Sequence, residues 1–363
     1  MCIRDRLKEG TKSKTPAEFE EAIDLLGSSI SVSADLEGLY ISGTTLAKNF
    51  DETIELLIEM LTEPRWDEQA FSIVKNRRLT QISQSKTNAQ SVAFNALAKQ
   101  LYGSTHPAST PIGGKESSVQ SITIDDIKKY FKQNISPKVS HFHIAGNITQ
   151  EDVDGSLQKL SQKWIGDQIE IPKIAVAKIP STSKVFFIDI PDSKQSAISI
   201  GTLTIPGGSP EFFKLDVVNN RLGRGMEARL MRTLRLEKGY TYGAGSFIRG
   251  NTFQSPFYAY SQVRSNVTLE SLEIFRDIIN GYAKSYNNED LETTKNKLIK
   301  GNALRFERLS SLINMLDTMS KYDYSNTYIQ KEQEVLTSIG LDEARSIARL
   351  NFNANKMLSL IHI

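Results

Sequence analysis

Apolar and polar positions alternate with two different spacings along the first part of the chain. Over residues 19–26 the apolar positions recur at the i, i+3, i+4, i+7 spacing of a buried helix face, directly after a capping box at 15–18. Residues 30–33 and 39–41 alternate between apolar and polar side chains, which is typical of paired strands. Residues 54–61 carry a second helical stripe, and Asp51 is placed to cap that helix. The pattern therefore predicts a helix, a strand pair and a helix.

The same order of elements recurs about 210 residues later, as an internal duplication would. Residues 230–237 predict a helix, and residues 240–247 and 257–263 predict two strands joined by a turn. A further helix is predicted from Thr268, which is placed as its cap. The repetition predicts two homologous domains rather than one large domain.

Further elements are predicted between and after these stretches: helices over 66–85, 89–102 and 124–133, a helix from 216, and strands over 141–145, 185–190 and 197–204. Residues 169–183 contain two prolines and little periodicity, so we place the linker between the domains there. Residues 1–6 and 358–363 fit no pattern that is continuous with their neighbours. We interpret them as translated adapter ends, and sequencing the locus would test this.

Composition narrows the classes of partner. Lys plus Arg (44) nearly balances Asp plus Glu (42), so the net charge of +2 gives no overall field that favours nucleic acid or an anionic membrane. No apolar run approaches the ~20 residues needed to cross a bilayer, and the start does not resemble a signal peptide. The single cysteine, Cys2, excludes an internal disulfide framework and leaves the compartment undecided between cytoplasm and periplasm.

Three segments together resemble the insulinase/pitrilysin family of zinc peptidases. Residues 7–12 (LKEGTK) precede the capping box, and residues 102–113 contain Tyr-Gly, His-Pro and Gly in the family's order. The most specific segment is 220–242 (NRLGRGMEARLMRTLRLEKGYTY), which is similar to the family's Arg/Tyr motif. In that motif an Arg on a helix, here Arg235, precedes a Tyr on the next strand, here Tyr242, by seven residues.

The resemblance extends from residue 7 to about residue 357 and implies an α+β fold. It implies two αβ domains, each an antiparallel sheet with helices packed on one face, which we place at 7–168 and 184–357. Two such domains make half of a clam-shaped peptidase. The other half comes from a partner subunit, as in a dimer, or from more of the same polypeptide. Substrates of the family are extended peptides and partly unfolded proteins.

The family's zinc ligands are missing from the matching positions. The family binds zinc through His-x-x-Glu-His and a further Glu, and the motif would fall on residues 1–5, which contain neither His nor Glu. At the place of the third ligand stands Gln81, and Val74 takes the place of a supporting acidic residue. A neutral amide is a poor substitute for a carboxylate on zinc. We therefore predict no cofactor in this chain and zinc in the partner half.

The four histidines do not restore a metal site. His141 and His143 stand two apart on a predicted strand and could chelate a metal, but no acidic third ligand is nearby, so we interpret them as surface residues of a sheet. His106 is predicted to be a loop residue. His362 lies in the segment that we interpret as foreign.

Arg235 and Tyr242 are the predicted substrate-binding residues. In the family, the corresponding residues lie opposite the zinc and contact the substrate backbone near the bond being cut. Guanidinium and phenol both donate hydrogen bonds to peptide carbonyls. Composition and spacing alone would favour a solvated Arg and a half-buried Tyr, and it is the surrounding motif that favours the functional interpretation.

The resulting hypothesis is a non-catalytic half that binds extended peptide and completes the chamber of a zinc-bearing half. One alternative is a truncated active zinc peptidase, which Gln81 opposes. The other is a structural or assembly subunit, which Arg235 and Tyr242 oppose. No nucleic acid is expected as a partner, and a periplasmic location is favoured because family members carry signal peptides.

Overall fold

The computed structural model describes residues 6–190 and 193–362. Contacts divide these residues into two compact units, of which the first contains residues 6–84 and 111–173 and the second contains 85–110 and 174–362 without the gap. The second unit thus includes a stretch, 85–110, that lies within the first predicted domain. Compactness does not test homology, so the division into two homologous domains at 7–168 and 184–357 stays a prediction.

Helices and strands alternate irregularly along the chain, and the α+β fold class is confirmed. The helices are α1 Pro16–Leu25, α2 Phe50–Thr62, α3 Glu68–Ser85, α4 Ala89–Tyr102, α5 Glu116–Ser121, α6 Ile124–Asn134, α7 Gln150–Lys163, α8 Phe212–Gly223, α9 Arg229–Met231, α10 Thr268–Ser285, α11 Asn288–Leu304, α12 Leu309–Tyr322, α13 Tyr328–Ser338 and α14 Leu341–Asn351. The strands are β1 Ser29–Ala34, β2 Leu39–Thr44, β3 Lys184–Ile188, β4 Gln195–Pro206, β5 Thr241–Ile248, β6 Gln254–Arg264 and β7 Leu358–His362. Among the described residues, no helix is long and apolar enough to cross a membrane.

The first unit is built on a β hairpin and the helices around it. β1 and β2 pair antiparallel, with Val32 opposite Ile41. The capping box predicted at the start of α1 is present, because the Thr15 hydroxyl accepts from the Glu18 amide and the Glu18 carboxylate accepts from the Thr15 amide. Apolar side chains from α1, the hairpin, α2, α3 and α6 form the core of this unit: Leu7, Phe19, Ile23, Val32, Leu56, Met60, Phe71, Ile124 and Ile127.

Three local predictions are wrong. Asp51 does not cap α2, because the helix begins one residue earlier and Asp51 instead accepts a hydrogen bond from the Ser156 hydroxyl at 2.7 Å. Thr268 is the first residue of α10 rather than its cap, and its hydroxyl bonds the carbonyl of Ser265. Residues 141–145 form no strand, since alternation alone provides no partner for their backbone groups.

The second unit is built on a five-stranded sheet in the order β3-β7-β4-β6-β5. Three of the neighbouring pairs are antiparallel, as predicted, whereas β3 and β7 run parallel. A parallel pair needs a long crossover connection. Most of the unit lies between β3 and β7 in the chain, so the connection is long enough.

Helices cover both faces of this sheet. On one face α8, α10 and α14 bury an apolar core that includes Leu215, Phe257, Phe275 and Ile279. On the other face lies α4, and its Gln90 side-chain amide donates to the Ser199 hydroxyl of β4 at 2.9 Å. The sheet is therefore enclosed, which explains the long buried stretch of β4.

β7 is formed by residues 358–362. These residues make up most of the segment 358–363, for which a translated adapter end was predicted. β7 lies between β3 and β4, and Leu360, Ile361 and His362 are buried. Burial lowers the pKa of His362, and neither of its ring nitrogens has a hydrogen-bond partner among the residues that the structure describes. The structure gives these residues a position in the sheet, and their origin stays a prediction.

Candidate functional site

The segment that carries Arg235 lies on an irregular turn of helix. α9 continues directly into a π-helical turn, Arg232–Glu237, in which the side chain of Leu234 is fully buried. The amide of Tyr240 donates to the Leu234 carbonyl at 2.9 Å and closes the turn onto the start of β5. Burial of Leu234 leaves its neighbour Arg235 exposed. Such π turns occur preferentially at functional sites.

Tyr242 is presented by a β-bulge. Thr241 pairs with Val263 and Ala244 with Ser261, so the register between β5 and β6 shifts across Tyr242 and Gly243. The Thr241 hydroxyl holds the bulge, because it accepts from the Gly243 amide at 3.0 Å and lies 2.5 Å from the Gln262 carbonyl. As a result 89% of Tyr242 is exposed, so the half-buried tyrosine that composition favoured is wrong.

The charge of Arg235 is not neutralised by an ion pair among the described residues. Its Nη1 contacts the Met226 sulfur at 3.7 Å, and Met226 itself is exposed. Within the described part of the chain, no carboxylate lies at salt-bridge distance from Arg235. Both predicted residues therefore lie in the second unit with their donor groups open to solvent.

A buried carboxylate holds the base of this segment. Asp290, at the start of α11, is 5% exposed and accepts from Arg221 Nε at 3.0 Å and from Arg229 Nη2 at 2.5 Å. The Arg229 guanidinium also lies over the ring of Tyr282, 4.9 Å from its centroid. Asp290 therefore connects the end of α8 and the start of α9 to α11. No pattern in the sequence predicted this connection.

Tyr282 adds a fixed contact beneath the same segment. It is fully buried on α10, and its hydroxyl donates to the Val218 carbonyl of α8 at 2.6 Å. Burial raises the pKa of this phenol well above its usual value. The group is therefore a neutral donor, and the contact joins α8 to α10.

The Gly223-Arg224-Gly225 segment forms a tight connection between α8 and α9. Gly225 has a positive φ of +96°, which favours glycine. Arg224 Nη2 lies 2.5 Å from Asp216 Oδ1, and burial raises the pKa of Asp216 while Arg224 opposes the increase. The Arg224 guanidinium is thus committed to a carboxylate of its own chain.

The residues at the predicted zinc positions do not fit the metal. Residues 1–5, where the His-x-x-Glu-His motif would fall, lie outside the described residues. Gln81 is exposed near the end of α3, and Val74 is buried on the same helix. Over 6–190 and 193–362, no three His, Cys, Asp or Glu side chains are grouped so that they could hold a metal ion. An amide and an isopropyl group cannot replace carboxylates on zinc.

His106 is more than the loop residue that was predicted. It is buried and stacks on Tyr102 with 4.7 Å between ring centroids. Its Nδ1 accepts from the Ala108 amide and its Nε2 lies 3.0 Å from the Ala175 carbonyl, so hydrogen-bond geometry assigns the proton to Nε2. The His-Pro motif of the family thus holds part of the predicted linker against the second unit.

Gln254 completes this attachment. Its side-chain amide donates to the Ala177 carbonyl at 2.9 Å and accepts from the Ala177 amide at 2.6 Å.

His141 and His143 lie in no strand, and their rings are parallel with centroids 6.3 Å apart. Their interpretation as sheet residues is therefore wrong.

Comparison with known proteins places the chain among peptidase homologues. Residues 121–298 match the family model described as "Peptidase M16 inactive domain". The chain is 26% identical over 341 residues to the "Non-peptidase homolog YmxG" of Helicobacter pylori, covering 92% of this chain and 76% of the relative. It is 21% identical over 360 residues to the "Uncharacterized zinc protease YmxG" of Bacillus subtilis, and this match covers 97% of this chain and 85% of the relative.

A solved structure shares the fold. The crystal structure of a peptidase M16 inactive domain from Pseudomonas fluorescens superimposes with a TM-score of 0.89 at 20% identity, covering all of this chain and 87% of that one. The predicted resemblance to the insulinase/pitrilysin peptidases is therefore confirmed.

Proposed function

The chain resembles the insulinase/pitrilysin (peptidase M16) family and matches the model of its inactive domain over residues 121–298, and from that resemblance we propose that it is a non-catalytic peptide-binding half. In this proposal it binds extended peptide substrate and completes the active-site chamber of a zinc-bearing half. That half is a separate subunit or an upstream part of the same polypeptide.

The observation that carries the proposal is the exposure of Arg235 and Tyr242 on a well-braced segment. The guanidinium and the phenol both donate hydrogen bonds to carbonyl oxygens, and a phenol can support charge that develops on an oxyanion. Buried Leu234 and Asp290 hold the segment, so ordering it on binding costs little conformational entropy. Exposed donors on a fixed backbone suit recognition of a peptide main chain.

The residues at the zinc positions support a non-catalytic role. Gln81 offers an uncharged oxygen and Val74 offers none, so water activation by a metal has no ligand set at this helix. A truncated active peptidase would need carboxylates there. A purely structural subunit would not need the Arg235 and Tyr242 pair.

Direct binding tests the role of the pair. A fluorescein-labelled unstructured peptide of about 20 residues, long enough to lie extended along the surface, is titrated with the chain and followed by anisotropy. Arg235→Ala and Tyr242→Phe each remove a donor, and we expect each to weaken binding about 5- to 10-fold, as loss of one hydrogen bond does. Arg276→Ala and Tyr130→Phe change exposed residues elsewhere and serve as controls. Equal affinity for all five proteins would remove the assignment.

Cleavage assays test the non-catalytic role. The isolated chain with added zinc is expected to cleave no peptide, whereas co-expression with a family half that contains His-x-x-Glu-His should give cleavage that EDTA abolishes. In that complex, loss of either donor should lower turnover about 10²-fold. Zinc-dependent cleavage by the isolated chain would instead establish the truncated-peptidase alternative.

A further inference from the structure

Exposed apolar and cationic side chains lie side by side where α8 leads into α9. Met226 and Leu236 are 46% and 54% exposed, and Arg235 contacts the Met226 sulfur. Lys297 of α11 donates to Asn220 Oδ1 at 3.1 Å and to the Arg224 carbonyl at 3.5 Å, and its Nζ lies 3.8 Å from where a Cβ of Gly225 would be. We call Met226, Arg235, Leu236 and Lys297 the turn surface.

The charges of this region are unequal, and only some of them are neutralised. Residues 221–242 contain six basic residues and two acidic residues in a chain whose net charge is only +2. Carboxylates of the chain pair with four of the basic residues: Arg221, Arg224, Arg229 and Arg232. Arg235, Lys238 and Lys297 take part in no ion pair among the described residues, and Glu227 is the one exposed carboxylate of the segment that no described cation pairs.

The positions of Arg235 and Lys297, which form no ion pair among the described residues, define what the surface fits. Arg235 lies against the exposed Met226, and Lys297 lies against Arg224 and Gly225 just before Met226 in the chain, so a bound chain that covers this turn meets a guanidinium and an ammonium group. A guanidinium binds a carboxylate through two parallel hydrogen bonds, and an ammonium adds a point charge. A thioether adapts to apolar side chains of many shapes. A peptide with carboxylates next to an apolar residue would therefore meet complementary groups.

We propose that the turn surface binds acidic peptide segments, in which Glu or Asp flanks an apolar residue. This inference rests on the proposed function, since it names the class of peptide that Arg235 and Tyr242 receive. A peptide is favoured over a nucleic acid because the turn surface has two exposed apolar side chains, Met226 and Leu236, beside its cations and contains no aromatic ring on which a base could stack.

Three labelled peptides of equal length test the inference. They share a central apolar residue and differ only in flanking Glu, Gln or Lys. Because an exposed ion pair contributes about 0.2–1 kcal/mol, the two pairs together should make the Glu peptide bind about 3- to 10-fold more tightly than the Gln peptide at low salt, and the Lys peptide should bind most weakly. The preference should fall below about twofold in 0.5 M NaCl, because salt screens exposed charges.

Matched variants locate the effect. Lys297→Gln should reduce the preference for Glu over Gln, and Lys356→Gln, which changes an exposed lysine in another part of the second unit, should leave that preference unchanged. Circular dichroism checks that each variant is folded.

The outcomes separate the two proposals. If the Gln peptide binds in a manner sensitive to Arg235→Ala but the three peptides bind equally, the inference is wrong and the proposed function stands. If no peptide binds, both fail. If a single-stranded oligonucleotide of equal charge binds more tightly than the Glu peptide and Lys297→Gln weakens it, the surface is a general polyanion site and the inference is overturned.

Discussion

Gly223 has no side chain, and this allows α8 and β5 to pack closely against each other. An added Cβ at this last residue of α8 would lie 2.0 Å from the amide nitrogen of Ser246 and 2.6 Å from its Cα. The helix end therefore rests directly on the backbone of β5. The Ser246 hydroxyl donates to Asn219 Oδ1 at 2.6 Å and completes the contact. The close approach brings α8 against the strand on which Tyr242 lies.

Gly223→Ala should destabilise the second unit. Backbone atoms cannot move aside as a flexible side chain can, so the free energy of unfolding should fall by about 3 kcal/mol, the upper part of the range for overpacked sites. Gly301→Ala is a suitable control, because nothing lies within 4 Å of its added Cβ in the last turn of α11. That change should raise stability by about 0.5–1 kcal/mol. Urea denaturation of both variants measures the difference, and equal midpoints would contradict the contact.

At this scale the family motif selected two residues that are exposed, but the sequence did not show which residues are connected. The family motif identified Arg235 and Tyr242, and the structure finds both open to solvent. Asp290 and His106 were missed as supports, because each acts on residues about 60 to 70 positions away in the chain, a separation that local patterns do not encode. Asn287 and Asp290 also form a capping box at the start of α11, so the carboxylate has a local role in addition to its contacts with the two arginines.

Among elements, α11 is the one that fixes the segment between α8 and β5. Its first turn contributes Asp290, and its middle contributes Lys297 to the turn surface. α8 and α9 supply the two arginines that meet at Asp290. Since both arginines are charged, removing the carboxylate would leave two cations close together with little solvent around them.

Asp290→Asn should therefore release this segment. We expect a loss of about 3 kcal/mol in the free energy of unfolding, as for other buried charges that lose their partner. Amide exchange should accelerate over residues 224–240. Asp277→Asn removes an exposed ion pair with Arg276 and should cost less than about 1 kcal/mol. If the two variants unfold at the same urea concentration, Asp290 does not brace the segment.

Most helices and strands were predictable because their apolar spacing is regular, as α2, α4 and β6 show. The failures share a physical cause. Residues 141–145 alternate correctly, but a strand exists only where another strand pairs with it. β3 and β7 were not predicted to pair, since parallel pairing depends on the path of the whole connection between them.

For the molecule as a whole, the sheet of the second unit depends on its last strand. β3 has no strand neighbour other than β7 among the described residues, and β4 pairs with β7 on one side and β6 on the other. The strand also buries Leu358, Leu360 and Ile361. Residues 358–362, which matched no local sequence pattern, therefore form an interior strand of the sheet.

Truncation after Met357 should destabilise the second unit severely. Each buried aliphatic side chain contributes about 1.5–3 kcal/mol, so the loss should approach the whole stability of a typical domain, about 5–15 kcal/mol. Ser359→Thr keeps the strand and should leave the urea midpoint nearly unchanged. An unaltered midpoint in the truncated chain would show that β7 does not join the sheet in solution.

The strand order also constrains when the unit can form on the ribosome. β4, β5 and β6 are neighbours both in the chain and in the sheet, so they can pair while synthesis continues. β3 emerges before all of them, yet its place is next to a strand that is translated more than 150 residues later, so it must wait unpaired until then. During that interval the unpaired backbone of β3 and its apolar side chains, Val185, Phe186 and Phe187, are a natural target for a chaperone.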